Sequence, residues 1–151
     1  MIRLSQKETA LLKDLKDQEQ LCADKYTRHA SCAGDPQLKN LFTQLAQNEL
    51  QHLQTLSELE QGTLPQMGGS GGSQLPTGFS DARADAADQK EDRYLCTDVL
   101  AGEKHASHLY DTCVFEFKDT RVRDVLNHIQ KEEQEHGKLI YDYMSVNGMY
   151  N

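Results

Sequence analysis

Shifted by 84 positions, the second half of this 151-residue chain lies on the first. Glu19 meets Glu103, Tyr26 meets Tyr110, Asp35 meets Asp119, Lys39 meets Arg123, Glu49 meets Glu133 and His52 meets His136. Leu38/Val122, Leu45/Ile129 and Leu56/Ile140 supply matching apolar positions. Chance does not give that register, so the two halves are one unit used twice.

The unit is a helical hairpin. Leu12, Leu15, Glu19, Cys22, Tyr26 and His29 recur at spacings of 3, 4, 3, 4 and 3, which draws one stripe down a helix that opens with the capping box Ser5-Gln6-Lys7-Glu8. Gly34-Asp35-Pro36 ends that helix and starts another, with Gly as the expected C-terminal cap, Asp as the N-cap and Pro in the first turn. The second stripe reads Leu38, Leu41/Phe42, Leu45, Glu49, His52, Leu56 and Leu59, and the third Leu95, Val99, Glu103, Ala106, Tyr110, Cys113 and Phe117. The fourth starts at about Asp119, reads Val122, Val125/Leu126, Ile129, Glu133, His136, Ile140 and Tyr143, and stops near Gly148. No segment alternates apolar and polar residues as a strand would.

Two of the three prolines and most of the glycines fall in residues 61–80. The expected organisation is one domain: a hairpin over about 5–61, a Gly/Pro-rich crossover over about 62–87, and a second hairpin over about 88–148. Short turns make each hairpin antiparallel, and a connection this long can run the full length of the bundle. The fold class is therefore all-α, a four-helix bundle of two antiparallel hairpins with the ferritin-like long crossover. GGSGG at 68–72 reads as a flexible spacer, because no Lys-Ser/Thr follows it as in a phosphate loop.

The stripes turn ionisable where they should be most apolar. Glu19, Glu49 with His52, Glu103, and Glu133 with His136 sit near the middle of each helix, and Glu and His at i and i+3 share a face. Four carboxylates and two imidazoles then converge. No Lys or Arg occupies the stripes at that level, and burying carboxylates without counter-charge costs several kcal/mol each. Two divalent metal ions would cancel the charge, and oxygen with imidazole donors suits iron or manganese and a centre for oxygen or peroxide chemistry. The alternative is a metal-free polar layer that fixes helix register. Cys22, one turn after Glu19, reads either as a small buried hydrophobe or as a redox partner of the metals. In the acidic run Glu132-Glu133-Gln134-Glu135, only Glu133 is expected to face inward. His29, His105, His108 and His128 lack the symmetry of the repeat and read as surface or core-edge residues.

Composition narrows the function classes. With 24 Asp+Glu against 16 Lys+Arg, the net charge of −8 excludes a basic nucleic-acid-binding surface. No apolar run is long enough for a signal peptide or a membrane span, so a soluble cytoplasmic protein is expected. Cys22, Cys32, Cys96 and Cys113 form no Cys-x-x-Cys pair and read as four free, mostly buried thiols.

The paired Glu-x6-Tyr and Glu-x-x-His motifs resemble those of the ferritin-like di-iron carboxylate superfamily, the rubrerythrin-type proteins in particular. That resemblance covers both hairpins. It implies two iron ions, with manganese as the alternative, held by Glu19, Glu49, His52, Glu103, Glu133 and His136. Glu49 and Glu133 would bridge, Glu19 and Glu103 would be terminal, and Tyr26 and Tyr110 would hydrogen-bond the ligand carboxylates. It further implies an oxidoreductase acting on hydrogen peroxide or dioxygen, and a homodimer. Rubrerythrins carry a further glutamate where this chain has Ala106, and a rubredoxin domain that it lacks, so the electrons would come from a separate donor protein. A second resemblance, carried by two-hairpin organisation and the ending Tyr-Met-Ser-Val-Asn-Gly-Met-Tyr (143–150), is to spore-coat proteins of the coat F type. It implies a coat protein retaining a metal centre; iron binding without a cage is a third reading.

Overall fold

The structure, a computed structural model, describes residues 1–66, 75–82 and 85–150; the GGSGG spacer lies outside them. Four helices follow in order: α1 Gln6–Cys32, α2 Pro36–Glu60, α3 Ala86–Val114 and α4 Thr120–Val146. Each begins at a side chain that satisfies an otherwise orphaned amide. Ser5 and Glu8 form the reciprocal capping box, while Asp35, Asp85 and Asp119 accept from the amides of Gln37, Asp88 and Arg121. The Asp35/Asp119 pair keeps the offset of the repeat, so both hairpins turn on the same cap.

The ends of α2 and α4 need glycine. Gly62 and Gly148 have φ of 84° and 68°, and the amides of Thr63 and Met149 reach back to the carbonyls of Glu58 and Met144 in Schellman geometry. Gly34 is different from its expected role. Ala33 caps α1 in an extended conformation, and Gly34 serves close approach instead: a Cβ there would lie 3.3 Å from the Asp88 side chain of α3.

Partners across the bundle fix the topology. Between α1 and α3, Lys7 pairs with Glu116, Tyr110 with Glu19, Tyr26 with Glu103 and Gly34 with Asp92, so rising numbers meet falling ones and the helices are antiparallel. Between α2 and α4, Asp35 at the α2 cap meets Tyr143, Glu49 meets His136 and His52 meets Glu133, again antiparallel. With α1/α2 and α3/α4 each an antiparallel hairpin, α2 and α3 must run the same way, which requires a crossover the length of the bundle. Its two ends mark the distance. Leu64 packs on the apolar cluster of Leu12, Leu59 and Phe117, whereas Leu75 and Phe79 pack on the opposite cluster of Leu38, Leu41, Leu45 and Tyr143.

Those two clusters lie on either side of the acid and histidine layer. Fully burying each Leu, Ile or Phe contributes about 1.5–3 kcal/mol, and that apolar mass offsets the unfavourable burial of the charged layer between them. The C-terminal turn closes the arrangement at the crossover's arrival. Asn147 accepts from the amide of Ala82 at 2.9 Å and its carbonyl accepts from Gln89 at 2.8 Å, while Phe79 stacks edge-on against Tyr143 with ring centroids 5.4 Å apart.

Candidate metal centre

The helical stripes deliver all six acids and histidines to one layer. Glu19, Glu49, Glu103 and Glu133 are 0–4% exposed, His52 and His136 equally buried. They form two overlapping groups, Glu19, Glu49, His52 and Glu133 in one and Glu49, Glu103, Glu133 and His136 in the other, with the donor atoms of each group within 4.8 Å of one another. Glu49 and Glu133 belong to both, the positions expected of bridging carboxylates. Each group thus offers three carboxylates and one imidazole.

Contacts within the layer cross the pseudo-two-fold axis relating the hairpins. His52 Nδ1 lies 2.9 Å from Glu133 Oε1 and His136 Nδ1 lies 2.8 Å from Glu49 Oε1; the two rings stack with centroids 5.7 Å apart. Tyr26 donates to Glu103 and Tyr110 to Glu19, both at 2.5 Å. Each tyrosine therefore serves the glutamate of the other hairpin, not the one two turns away on its own helix. The remaining oxygen of every one of the four glutamates is buried and without a hydrogen-bond partner. No lysine or arginine is buried among the described residues.

Electrostatics follow from that crowding. Burial raises the Glu49 carboxyl to about 8, with the neighbouring charges of Glu103 and Glu19 adding to it. Burial and then the charge of Glu133 raise Glu103 to about 8 as well, and burial with Glu19 raises Glu133. Burial pushes Glu19 the same way, but Glu49 and His52 beside it outweigh the effect and hold it down at about 2. Four acids this close cannot all carry charge unaided, so protons are shared among them. Burial would discharge both histidines, yet Glu132 and Glu133 raise His52, and Glu103 raises His136. Burial, reinforced by the glutamates, keeps Tyr26 and Tyr110 as neutral phenols that donate.

Glu132 corrects the sequence expectation. It is half-buried and its Oε1 sits 3.2 Å from His52 Nε2, on the far side of the ring from the carboxylate layer. Asn48, its equivalent in the repeat, holds the same place 3.5 Å from His136 Nε2. Each imidazole is thereby oriented with Nδ1 toward the glutamates. The signal was present in the sequence: Asn48 and Glu132 each immediately precede a ligand-type glutamate at the repeat offset. Cys22 is buried, and its sulfur accepts from Gln18 at 3.3 Å. Burial and the nearby Glu49 and Glu103 push its thiol far above the usual range, which suits a small hydrophobe and not a thiolate. All four cysteines are free, three of them buried. His29 lies at the core edge, 2.7 Å from Asp98.

Residues 91–151 match the family model of the Coat F domain. Over its second hairpin the chain is similar to spore-coat proteins. The match takes in Glu103, Glu133 and His136 and also the tail from Tyr143 to Tyr150 that seats the crossover. It supports the second of the two resemblances read from the sequence, that to coat F proteins. No curated protein matches the chain. No helix among the described residues is long and apolar enough to cross a membrane.

Proposed function

We propose that this chain is a spore-coat-type protein whose four-helix core holds two divalent metal ions. The coat reading rests on the match over residues 91–151. The metal reading is carried by one observation: four buried glutamates each turn an unpartnered oxygen into a layer without buried Lys or Arg. A polar layer built only to fix register would satisfy its own acceptors, since an orphaned buried group costs about 1–3 kcal/mol, more when charged. Glu19, Glu49, His52 and Glu133 would hold one ion and Glu49, Glu103, Glu133 and His136 the other, with oxygen and imidazole donors that suit iron or manganese. Tyr26 and Tyr110 keep Glu103 and Glu19 pointed at the layer, and Glu132 and Asn48 orient the histidines.

A cleft favours an additional redox role. A cavity of about 480 Å³ between α3 and α4 is lined by both Glu103 and Glu133, which gives small molecules a way to the layer. Iron bound there would supply one electron per ion for the two-electron reduction of hydrogen peroxide to water, with a separate donor protein restoring them. The chain's part is to hold the carboxylates and imidazoles fixed while Tyr26 and Tyr110 retain their protons.

Two measurements test this. Elemental analysis of the protein purified from fractionated spores of its native host should find close to two iron or manganese ions per chain in the coat fraction. Metal-free protein there, or full metal occupancy in Glu49→Ala/Glu133→Ala, would sink the metal reading. For the redox role, anaerobic iron(II)-loaded protein mixed with peroxide should oxidise far faster than free iron(II); equal rates would leave a structural centre.

A further inference from the structure

On the level of the carboxylate layer the two halves repeat the four glutamates and two histidines but differ in the residues around them. On the α3/α4 side, the cleft that reaches Glu103 and Glu133 is also lined by Ser107, Gln130, Gln134 and Gly137. At the repeat offset, the α1/α2 side carries Ala23, Ala46, Leu50 and Leu53 in those four places. Polar or absent side chains on one side thus correspond to apolar ones on the other. Glu103 keeps a slight side-chain exposure of 4% that its counterpart Glu19 lacks, whereas the Glu133 and Glu49 side chains are both fully buried. Gly137 is an α4 residue one position past His136 with φ in no unusual range, so its backbone does not call for glycine. A Cβ there would meet Leu100 Cδ1 at 3.6 Å, an ordinary contact, so close packing does not call for glycine either. Gly137 lines the cleft without a side chain. Besides Glu103 and Glu133, which end the cleft at the carboxylate layer, the lining carries His108, Asp111 and Lys104.

We propose that the α3/α4 cleft is the path by which a divalent cation reaches the carboxylate layer, and that Gly137 keeps it open. The inference rests on the metal reading above and adds a direction to it. Ser107, Gln130 and Gln134 line the way from solvent to Glu103 and Glu133; Gln130 donates to the carbonyl and hydroxyl oxygens of Ser107 at 3.0 and 3.3 Å, and these polar groups can stand in for water ligands that a cation sheds in steps. On the α1/α2 side, Leu50 and Leu53 offer no such groups.

Cobalt(II) uptake by metal-free full-length protein, followed by stopped-flow absorbance, tests the path. Gly137→Leu, which copies Leu53, should slow uptake by about tenfold or more while leaving the cobalt bound per chain at equilibrium unchanged. Removing a glycine from a helix interior favours folding, and Gln134→Leu, which copies Leu50, gives the same test one turn earlier on α4. Leu53→Ala should leave the rate unaltered. Wild-type rates in both α4 variants, or faster uptake in Leu53→Ala, would overturn the path. So would lost stoichiometry without a change in rate, because that places the effect on the ligands. A wild-type protein that binds no cobalt at equilibrium would instead remove the metal reading itself, and the path with it.

Discussion

Glu49→Gln separates what the glutamate layer does for folding from what it does for metal. The substitution keeps the volume of the side chain and the acceptor that meets His136 Nδ1 at 2.8 Å. It replaces the second oxygen, which is buried and unpartnered, by an amide donor within a layer that holds three further unpartnered glutamate oxygens. An orphaned buried group costs about 1–3 kcal/mol, so metal-free Glu49→Gln should be more stable than metal-free wild type by about that amount. For a chain of this size the melting temperature would rise by roughly 2–12 °C. With metal the sign reverses. Wild-type protein at a metal concentration a hundredfold above Kd gains about 2.7 kcal/mol per site, about 5 kcal/mol for two. Glu49 belongs to both ligand groups, so the variant should recover less than half of that gain. Thermal unfolding followed by far-ultraviolet circular dichroism, after chelation and again after adding manganese(II), reads both numbers. A lower melting temperature in the chelated variant would mean that Glu49 is a satisfied member of a structural layer. A full manganese gain in the variant would mean that it is not a ligand. Either result refutes the reasoning.

Tyr26→Phe and Tyr110→Phe each remove a 2.5 Å bond to a buried carboxylate, so urea denaturation should show losses of about 1.5–3 kcal/mol that are similar for the two; one neutral and one damaging variant would break the claimed symmetry. Asp92→Ala strips the acceptor from the amides of Gly34 and Asp35, bonded at 2.8 and 3.1 Å, and should cost about 1–3 kcal/mol, mainly by leaving the buried Asp35 amide unpaired. A change under 0.5 kcal/mol would show that water replaces the carboxylate. Asp98 lies 3.0 Å from Lys25 and 2.7 Å from His29. Partial burial works against its charge, but these partners outweigh it and lower its carboxyl below 3.8. Its contribution is therefore present above pH 3.8 and lost as the pH falls further. Asp98→Asn should cost about 0.2–1 kcal/mol at neutral pH, since the pair is partly exposed, and nothing once the pH is well below that range. A deficit in stability that persists unchanged in acid would point to packing and not charge.

The ligand-type residues were legible because the chemistry is written in the same period as the packing. Glu49 and His52 lie in line with Leu45 and Leu56, so whatever buries the leucines must bury them too. Glu132 was not legible from its own helix. It lies about 100° round from Glu133, where a residue is ordinarily solvated, and only the approach of α2 brings His52 Nε2 to it. Asp92 escaped notice for a related reason: the amides it serves belong to a turn 58 positions away in sequence, and no local pattern encodes such a contact. Gly34 shows the reverse error. A glycine at a helix end suggests a left-handed cap, but here helix proximity governs the position.

Where the repeat fails is as informative as where it holds. Tyr143, Asn147 and Met149 correspond by offset to Leu59, Thr63 and Pro65, and the difference follows from topology. The first hairpin has to release the chain into the crossover, so Gly62 turns it out and Pro65 lies in the outgoing segment. The second has to receive the crossover, so Tyr143 stacks on Phe79 and donates to Asp35 at 2.6 Å, while Asn147 grips Ala82. One hydroxyl thus ties the last helix to the cap of the second, at the corner where Asp92 ties the third to the turn between the first two. The second, third and fourth helices and the turn that ends the first meet there through polar contacts at one end of the bundle, which fixes the helix register on which convergence of four glutamates depends. The tail that completes this corner lies within the region similar to the Coat F domain, and its contribution to the fold is to seat the arriving end of the crossover.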